Sequence, residues 1–236
     1  MQQVQTLYTC EILSKEQTAL IEKAADCLAS SFIGLHVAGK LVQEPMVGLL
    51  NIGYEDFYQF TKEYIESTVE QGYCAVALDS NQQIVGVLAG DINAPEIIGE
   101  DVFEGSFSDM NVILHVLEDV DKRFLADYKE RNGSELKDGE ILHLFMLGVT
   151  AEQERHDVIK QLGSTLITKA SSQGLKAVLA EATNPKSIRV MEKYFEMEKY
   201  KDVEGNYIVH KYQENSRLKD IPTTIADGTY IIIKEL

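Results

Sequence analysis

The chain has 236 residues, 44% of them hydrophobic, with no low-complexity stretch, so it can bury one sizeable core and is read as a single domain over residues 1–236. Its 22 Lys and Arg against 38 Asp and Glu leave a formal charge of -16, which repels a nucleic-acid backbone or an anionic membrane and suits a cationic small molecule. The first residues, MQQVQTLYTCE, show no basic region followed by an apolar core, and no window approaches eighteen uninterrupted apolar residues, so a cytoplasmic protein without a membrane partner is expected.

A short strand is expected at Leu7 to Leu13. Ser14 and Gln17 then form a capping-box pattern, and Leu20, Ile21, Ala24 and Leu28 recur at helical spacing, which predicts a helix from about Lys15 to Ser31. Phe32 to Gly53, with four glycines and one proline, reads as a loop or broken helix. Helical periodicity returns from Tyr54 to Gln71, with Gly72 placed to stop it. Tyr73 to Leu78 and Gln83 to Ile92 read as a hairpin. Ser108 is placed to cap a long helix whose stripe runs through Ile113, Val116, Leu117, Val120, Phe124 and Tyr128 to a stop at Asn132-Gly133.

Ile141 to Val149 is apolar on both faces apart from His143, as a strand covered on both sides would be. A turn, a helix carrying Ile159, Leu162, Leu166, Ile167 and Ala170, and a strand at Leu175 to Ala182 come after it. Asn184 opens a short helix, and Tyr207 to Tyr212 and Tyr230 to Ile233 read as terminal strands. The order predicts an α/β domain, a mixed sheet with a central parallel pair flanked by helices.

The unit from Ile141 to Phe195 brings two strands and two helix N-termini to one crevice. Such N-termini carry unpaired N–H groups and a positive dipole end, so Thr150 to Asp157 is placed to bind a pyrophosphate, with Asn184 to Ser187 adding donors. The same pattern also fits an ordinary strand, helix, strand crossover. Cys10, Cys27 and Cys74 have neither metal nor redox spacing and read as reduced thiols. His36, His115, His156 and His210 lack metal-ligand spacing, so no metal is expected, and His143 reads as a satisfied buried group.

Several segments resemble one family. Val149-Thr150-Ala151-Glu152-Gln153-Glu154-Arg155-His156-Asp157-Val158-Ile159 falls where that family has a valine, a short acidic turn and Q/R-x-x-G-x-G/A; Glu181 to Lys193 looks like its S-x-x-x-S-x-R-V-M-E-K segment. Gln43-Glu44-Pro45-Met46 resembles its Asp-Glu-Pro-Leu step, and Gly53 to Phe57 resembles the family segment next in order. The family is the GNAT superfamily of acetyltransferases, specifically its arylalkylamine and dopamine N-acetyltransferase branch, and the resemblance spans roughly residues 7 to 236.

The resemblance implies the GNAT fold, acetyl-CoA as acyl donor, a small amine as acceptor, and direct attack in a ternary complex by a monomer or homodimer. It implies a base at Glu44, with Thr183 and Ser187 where the family has two serines implicated in proton handling. It also implies that backbone at Leu147, Gly148 and Val149 holds the pantetheine arm, while Glu154, Arg155, His156, Asp157, Val158, Ile159, Lys160 and Asn184 form the phosphate site. The tyrosine that protonates the thiolate in other branches falls on Met191, and Tyr194 is expected in the core. Departures concentrate in the phosphate segment, where Glu154 replaces Arg or Gln, Asp157 replaces the glycine and Ile159 fills the final small position. An acidic or β-branched side chain there blocks close backbone approach and repels phosphate, which leaves Arg155, His156 and Lys160 to supply affinity by charge. Two alternatives stay open: a fold that has lost acetyl-CoA and serves as a binding or regulatory module, or an acyltransferase acting on protein amines.

Overall fold

A computed structural model describes residues 8–37, 39–94, 103–150 and 155–236. The first half contains β1 (Thr9–Ile12), α1 (Thr18–Ile33), the small hairpin β2 (Leu35–Val37) and β3 (Lys40–Val42), α2 (Pro45–Leu49), α3 (Tyr54–Thr68), β4 (Cys74–Leu78) and β5 (Ile84–Asp91). The second contains α4 (Met110–Asn132), β6 (Ile141–Val149), α5 (Arg155–Ser172), β7 (Ala177–Ala182), α6 (Pro185–Tyr194), β8 (Glu198–Lys199), β9 (Val209–Lys211) and β10 (Gly228–Glu235). No helix among the described residues is long and apolar enough to cross a membrane.

Most elements sit where periodicity places them. Phe57, Phe60 and Tyr64 turn the apolar stripe of α3 inward, and Gly72 ends the next 3-10 turn at φ 76°, a left-handed conformation that favours glycine. Half of the expected capping box forms, since Gln17 Oε1 accepts the Ser14 N–H at 2.9 Å, but regular helix begins only at Thr18. Ser108 does not cap α4, which starts at Met110 after Asp109. The largest correction is at 32–53: the expected loop holds β2, β3 and α2. Pro45, with its φ preset and no N–H to satisfy, stands at the first turn of α2 and Glu44 caps it.

Eight strands form one sheet in the order β1-β4-β5-β6-β7-β10-β8, with β9 also paired to β10. Every pair is antiparallel except β6 with β7, the expected central parallel pair. The core has a layer on each face. Residues of α1, α2, α3 and the first half of α4 pack on one side, α5 and α6 pack on the other, and the second half of α4 closes against β7 and β10.

Candidate active site

The two central strands part company soon after they meet. β6 and β7 pair only from Ile141–Ala177 to His143–Leu179; beyond that β6 is held by β5 alone and β7 by β10 alone. A strand paired on one side turns alternate backbone N–H and C=O groups to the other, so the β6 edge from Phe145 to Val149 presents polar backbone to the opening. The register of β5 with β6 shifts between Ala89 and Gly90, leaving Phe145 as the extra residue of a bulge. A bulge re-aims side chains. Leu144 and Val149 join the core on the α5 side, whereas Phe145 and Met146 both join the core on the α1 side.

A cavity of about 550 Å³ occupies this split and reaches both layers. On the α1 side its walls are mainly apolar and aromatic, with Phe57, Phe60, Phe145 and Met110, and two carboxylates, Glu44 and Glu181, open onto it. Leu147 and Val149 line it between the layers. Gly148 does not: a Cβ there would stand 2.9 Å from Ser31 Oγ and 3.1 Å from Leu28, so this glycine lets α1 lie close on the sheet.

Glu44 is only 8% exposed. One carboxylate oxygen caps α2 by accepting the Val47 N–H at 2.8 Å, while Oε1 has no hydrogen-bond partner. Burial pushes its pKa up to about 7 against the Val47 N–H, the Thr183 hydroxyl and the Met46 N–H, all of which favour the ionised form. Glu44 and Thr183, 139 residues apart in sequence, both line the cavity. Ser187 lines the cavity too, but its hydroxyl donates to Asn184 O at 2.8 Å and accepts the Asn184 N–H at 3.2 Å. Asn184 Oδ1 in turn accepts from the N–H groups of Lys186 and Ser187, so the backbone donors expected for a ligand here are spent on the cap of α6.

The residues of the phosphate segment diverge. Arg155, His156 and Ile159 line the cavity, joined across it by Lys186 and Arg189 at the start of α6. Arg155, Lys186 and Arg189 make no ion pair with a carboxylate among the described residues. Val158 is fully buried, and a Cβ at Gly86 would stand 2.7 Å from it. Asp157 and Lys160 point to solvent, 3.9 Å apart, with the Lys160 ammonium 5.6 Å from the Tyr194 ring centre. Glu154 lies outside the described residues.

Sequence reasoning missed three participants. Tyr194, expected in the core, is half-buried, lines the cavity and bonds through its hydroxyl to His156 Nδ1 at 2.8 Å. Tyr212 donates to the carbonyl of Thr183 at 2.6 Å and fixes that residue. Glu181 faces the cavity two residues before Thr183, a period-2 relation that placed it on the same strand face from the start. His143 is satisfied as expected, though half-buried rather than buried, held between Asp91 and Glu181.

No family model and no curated protein matches the chain. Solved structures do. The C-terminal condensation domain of Ebony, in complex with beta-alanyl-dopamine, superposes with a TM-score of 0.68 over 97% of this chain and 99% of its own, at 16% identity. The Drosophila melanogaster polyamine N-acetyltransferase, which catalyses the formation of N-acetylagmatine, gives 0.64 over 97% and 100% at 17% identity. A putative arylalkylamine N-acetyltransferase 7 from Aedes aegypti gives 0.68 over 97% and 87% at 15% identity. The chain has the GNAT fold. At these identities the likeness concerns the fold, over nearly the whole chain.

Proposed function

We propose that the chain is an acetyl-CoA-dependent N-acetyltransferase that acetylates a small primary amine by direct attack in a ternary complex. One observation carries this reading: a single cavity passes through the split sheet and joins a rim of cations unpaired among the described residues, Arg155, Lys186 and Arg189, to the buried carboxylate of Glu44. In a chain of net charge -16, a cationic rim at two helix N-termini is the place where an anionic donor is tolerated. The residues present fit acetyl-CoA by charge and not by a glycine cradle, since Ile159 fills the wall where backbone would otherwise approach a phosphate. When bound, acetyl-CoA supplies the acyl group.

The chain's own part comes from the geometry. The free edge of β6 offers N–H groups to the transferred carbonyl. Glu44, titrating near neutrality, accepts the proton of an ammonium that must become a free amine before it attacks. Thr183 and Tyr212 keep that carboxylate and the strand end in register. On the opposite side of the cavity the Tyr194 hydroxyl, bonded to His156, would supply the proton that the departing thiolate takes up.

The second reading, a binding module, is favoured by the departures of the phosphate segment, of which Ile159 stands in the cavity wall. Melting temperature separates the two: acetyl-CoA at about 100 times its dissociation constant adds roughly 2.7 kcal/mol, or about 5 to 10 °C for a chain of this size. A shift together with amine-dependent thiol release supports the transferase; a shift with no turnover for any amine supports the module; no shift removes the donor site.

A further inference from the structure

Thr183 stands in the cavity wall at a point where the sheet no longer holds it. The ladder of β7 with β10 ends at Ala182 opposite Tyr230, and that of β7 with β6 ends at Leu179, so neither reaches Thr183. Two side chains take the ladder's place. Tyr212, fully buried in the turn after β9, donates its hydroxyl to Thr183 O at 2.6 Å, and the same oxygen lies 2.9 Å from Thr229 Oγ1 on β10. With its one proton committed to the carbonyl, the phenol accepts from Thr229 and ties the tip of β7 to β10. Burial and the nearby Glu44 charge push its ionisation far up, so it remains a donor.

Asn184 holds the side chain. Its Oδ1 accepts the N–H groups of Lys186 at 3.0 Å and Ser187 at 3.1 Å, which fixes the way the amide faces and leaves Nδ2 to donate to Thr183 Oγ1 at 3.3 Å. A hydroxyl that accepts on one side offers its own proton elsewhere, and the open side of Thr183 is the cavity. Glu44 Oε1 is a buried acceptor in that cavity without a hydrogen-bond partner. The Thr183 hydroxyl is among the groups that favour the ionised form of Glu44.

We propose that Asn184 and Tyr212 are positioning residues that clamp Thr183 by its hydroxyl oxygen and its carbonyl, so that its proton is aimed at Glu44 Oε1 across the split. Without the clamp the buried carboxylate would hold its proton more tightly, and less of the protein would carry a free base at neutral pH. The inference rests on the transferase reading for its purpose, but its test needs no turnover. The ionisation of Glu44 is read by carboxyl 13C NMR in glutamate-labelled protein, the signal being assigned by its absence from Glu44→Gln. Thr183→Val should raise the midpoint by about one pH unit, as loss of one hydrogen bond to a charged group would give. Asn184→Asp keeps a good helix cap but turns the donor into an acceptor that draws the Thr183 proton away. It should raise the midpoint by about half a unit more in the parent than in Thr183→Val, where only its added charge acts. The ionisable groups that share the cavity with Glu44, which are Glu181 on β7, Arg155 and His156 on α5, and Lys186, Arg189 and Tyr194 on α6, stay the same in every variant. Melting curves confirm folding; if Asn184→Asp does not fold, Tyr212→Phe, which keeps the buried ring, decides in the same two backgrounds. An unmoved midpoint in Thr183→Val, or a shift of equal size in both backgrounds, overturns the clamp whether or not the protein acetylates an amine. The expected titrations in a chain that acetylates no amine leave the clamp standing and take down the transferase.

Discussion

Glu44 is both a helix cap and a buried acid, and the two duties act on it in opposite directions. The Val47 N–H favours the carboxylate, and burial disfavours it more. Because the folded state binds this proton more tightly than the unfolded chain does, its stabilising contribution is present below the ordinary carboxylate range and is lost as pH rises through about 7. Glu44→Gln keeps an acceptor for Val47 and removes the titration, so denaturant unfolding should show the variant gaining on the parent between about pH 4.5 and about pH 7. Turnover should fall by about 10²- to 10⁴-fold in the same variant, with acetyl-CoA affinity unchanged within a few-fold. The parent's rate should rise with pH through an ionisation near 7 that the variant lacks. On the opposite side of the cavity, Arg155→Glu should raise the acetyl-CoA dissociation constant by about tenfold or more, whereas Lys160→Glu, whose ammonium lies over the Tyr194 ring outside the cavity, should change it little. Isothermal titration of the two variants checks the contrast.

At the scale of elements, Gly163 lets α5 lie close against the end of α6. A Cβ on Gly163 would stand 2.1 Å from the Phe195 ring, and α6 carries the cap that ends at Thr183. Gly163→Ala should therefore cost about 1 to 3 kcal/mol of stability and lower turnover by moving α6, measurable as parallel losses in melting temperature and kcat/KM. Legibility in the sequence obeys the same physics. Long amphipathic segments such as α3 and α4, and a doubly covered strand such as β6, announce themselves by period, and the unit from Ile141 to Phe195 was legible as a crevice between two strands and two helix starts. Thr183 and Glu44 were legible only through resemblance, because sharing a cavity across 139 residues leaves no local trace. The β2-β3 hairpin and α2 were hidden by short length and frequent glycine, although the Glu44-Pro45 pair is a helix-start signal that was there to be read. The bulge at Phe145 was illegible, since register against a partner strand is not written along one strand. The cluster around His143 was half visible: His143 stood out on an apolar strand, but Asp91 and Glu181 became its partners only once three strands had packed.

Across the whole molecule, 38 acidic residues against 22 basic ones set the two substrates apart before either binds. The field attracts an alkylammonium and repels a polyphosphate, except at the rim of Arg155, Lys186 and Arg189. Raising ionic strength from about 0.01 M to about 0.5 M shortens the screening length from roughly 30 Å to a few ångströms. The KM for a cationic amine should then rise severalfold, while the KM for acetyl-CoA stays level or falls, because salt removes long-range repulsion together with the rim's attraction. Steady-state kinetics at three salt concentrations would show it. The central claim is that the split sheet holds donor and amine at the same time in one cavity. Initial rates of thiol release from acetyl-CoA, measured over a grid of acetyl-CoA and amine concentrations, test it most directly: intersecting double-reciprocal lines are expected, whereas parallel lines, or thiol release that does not depend on any amine, would contradict it.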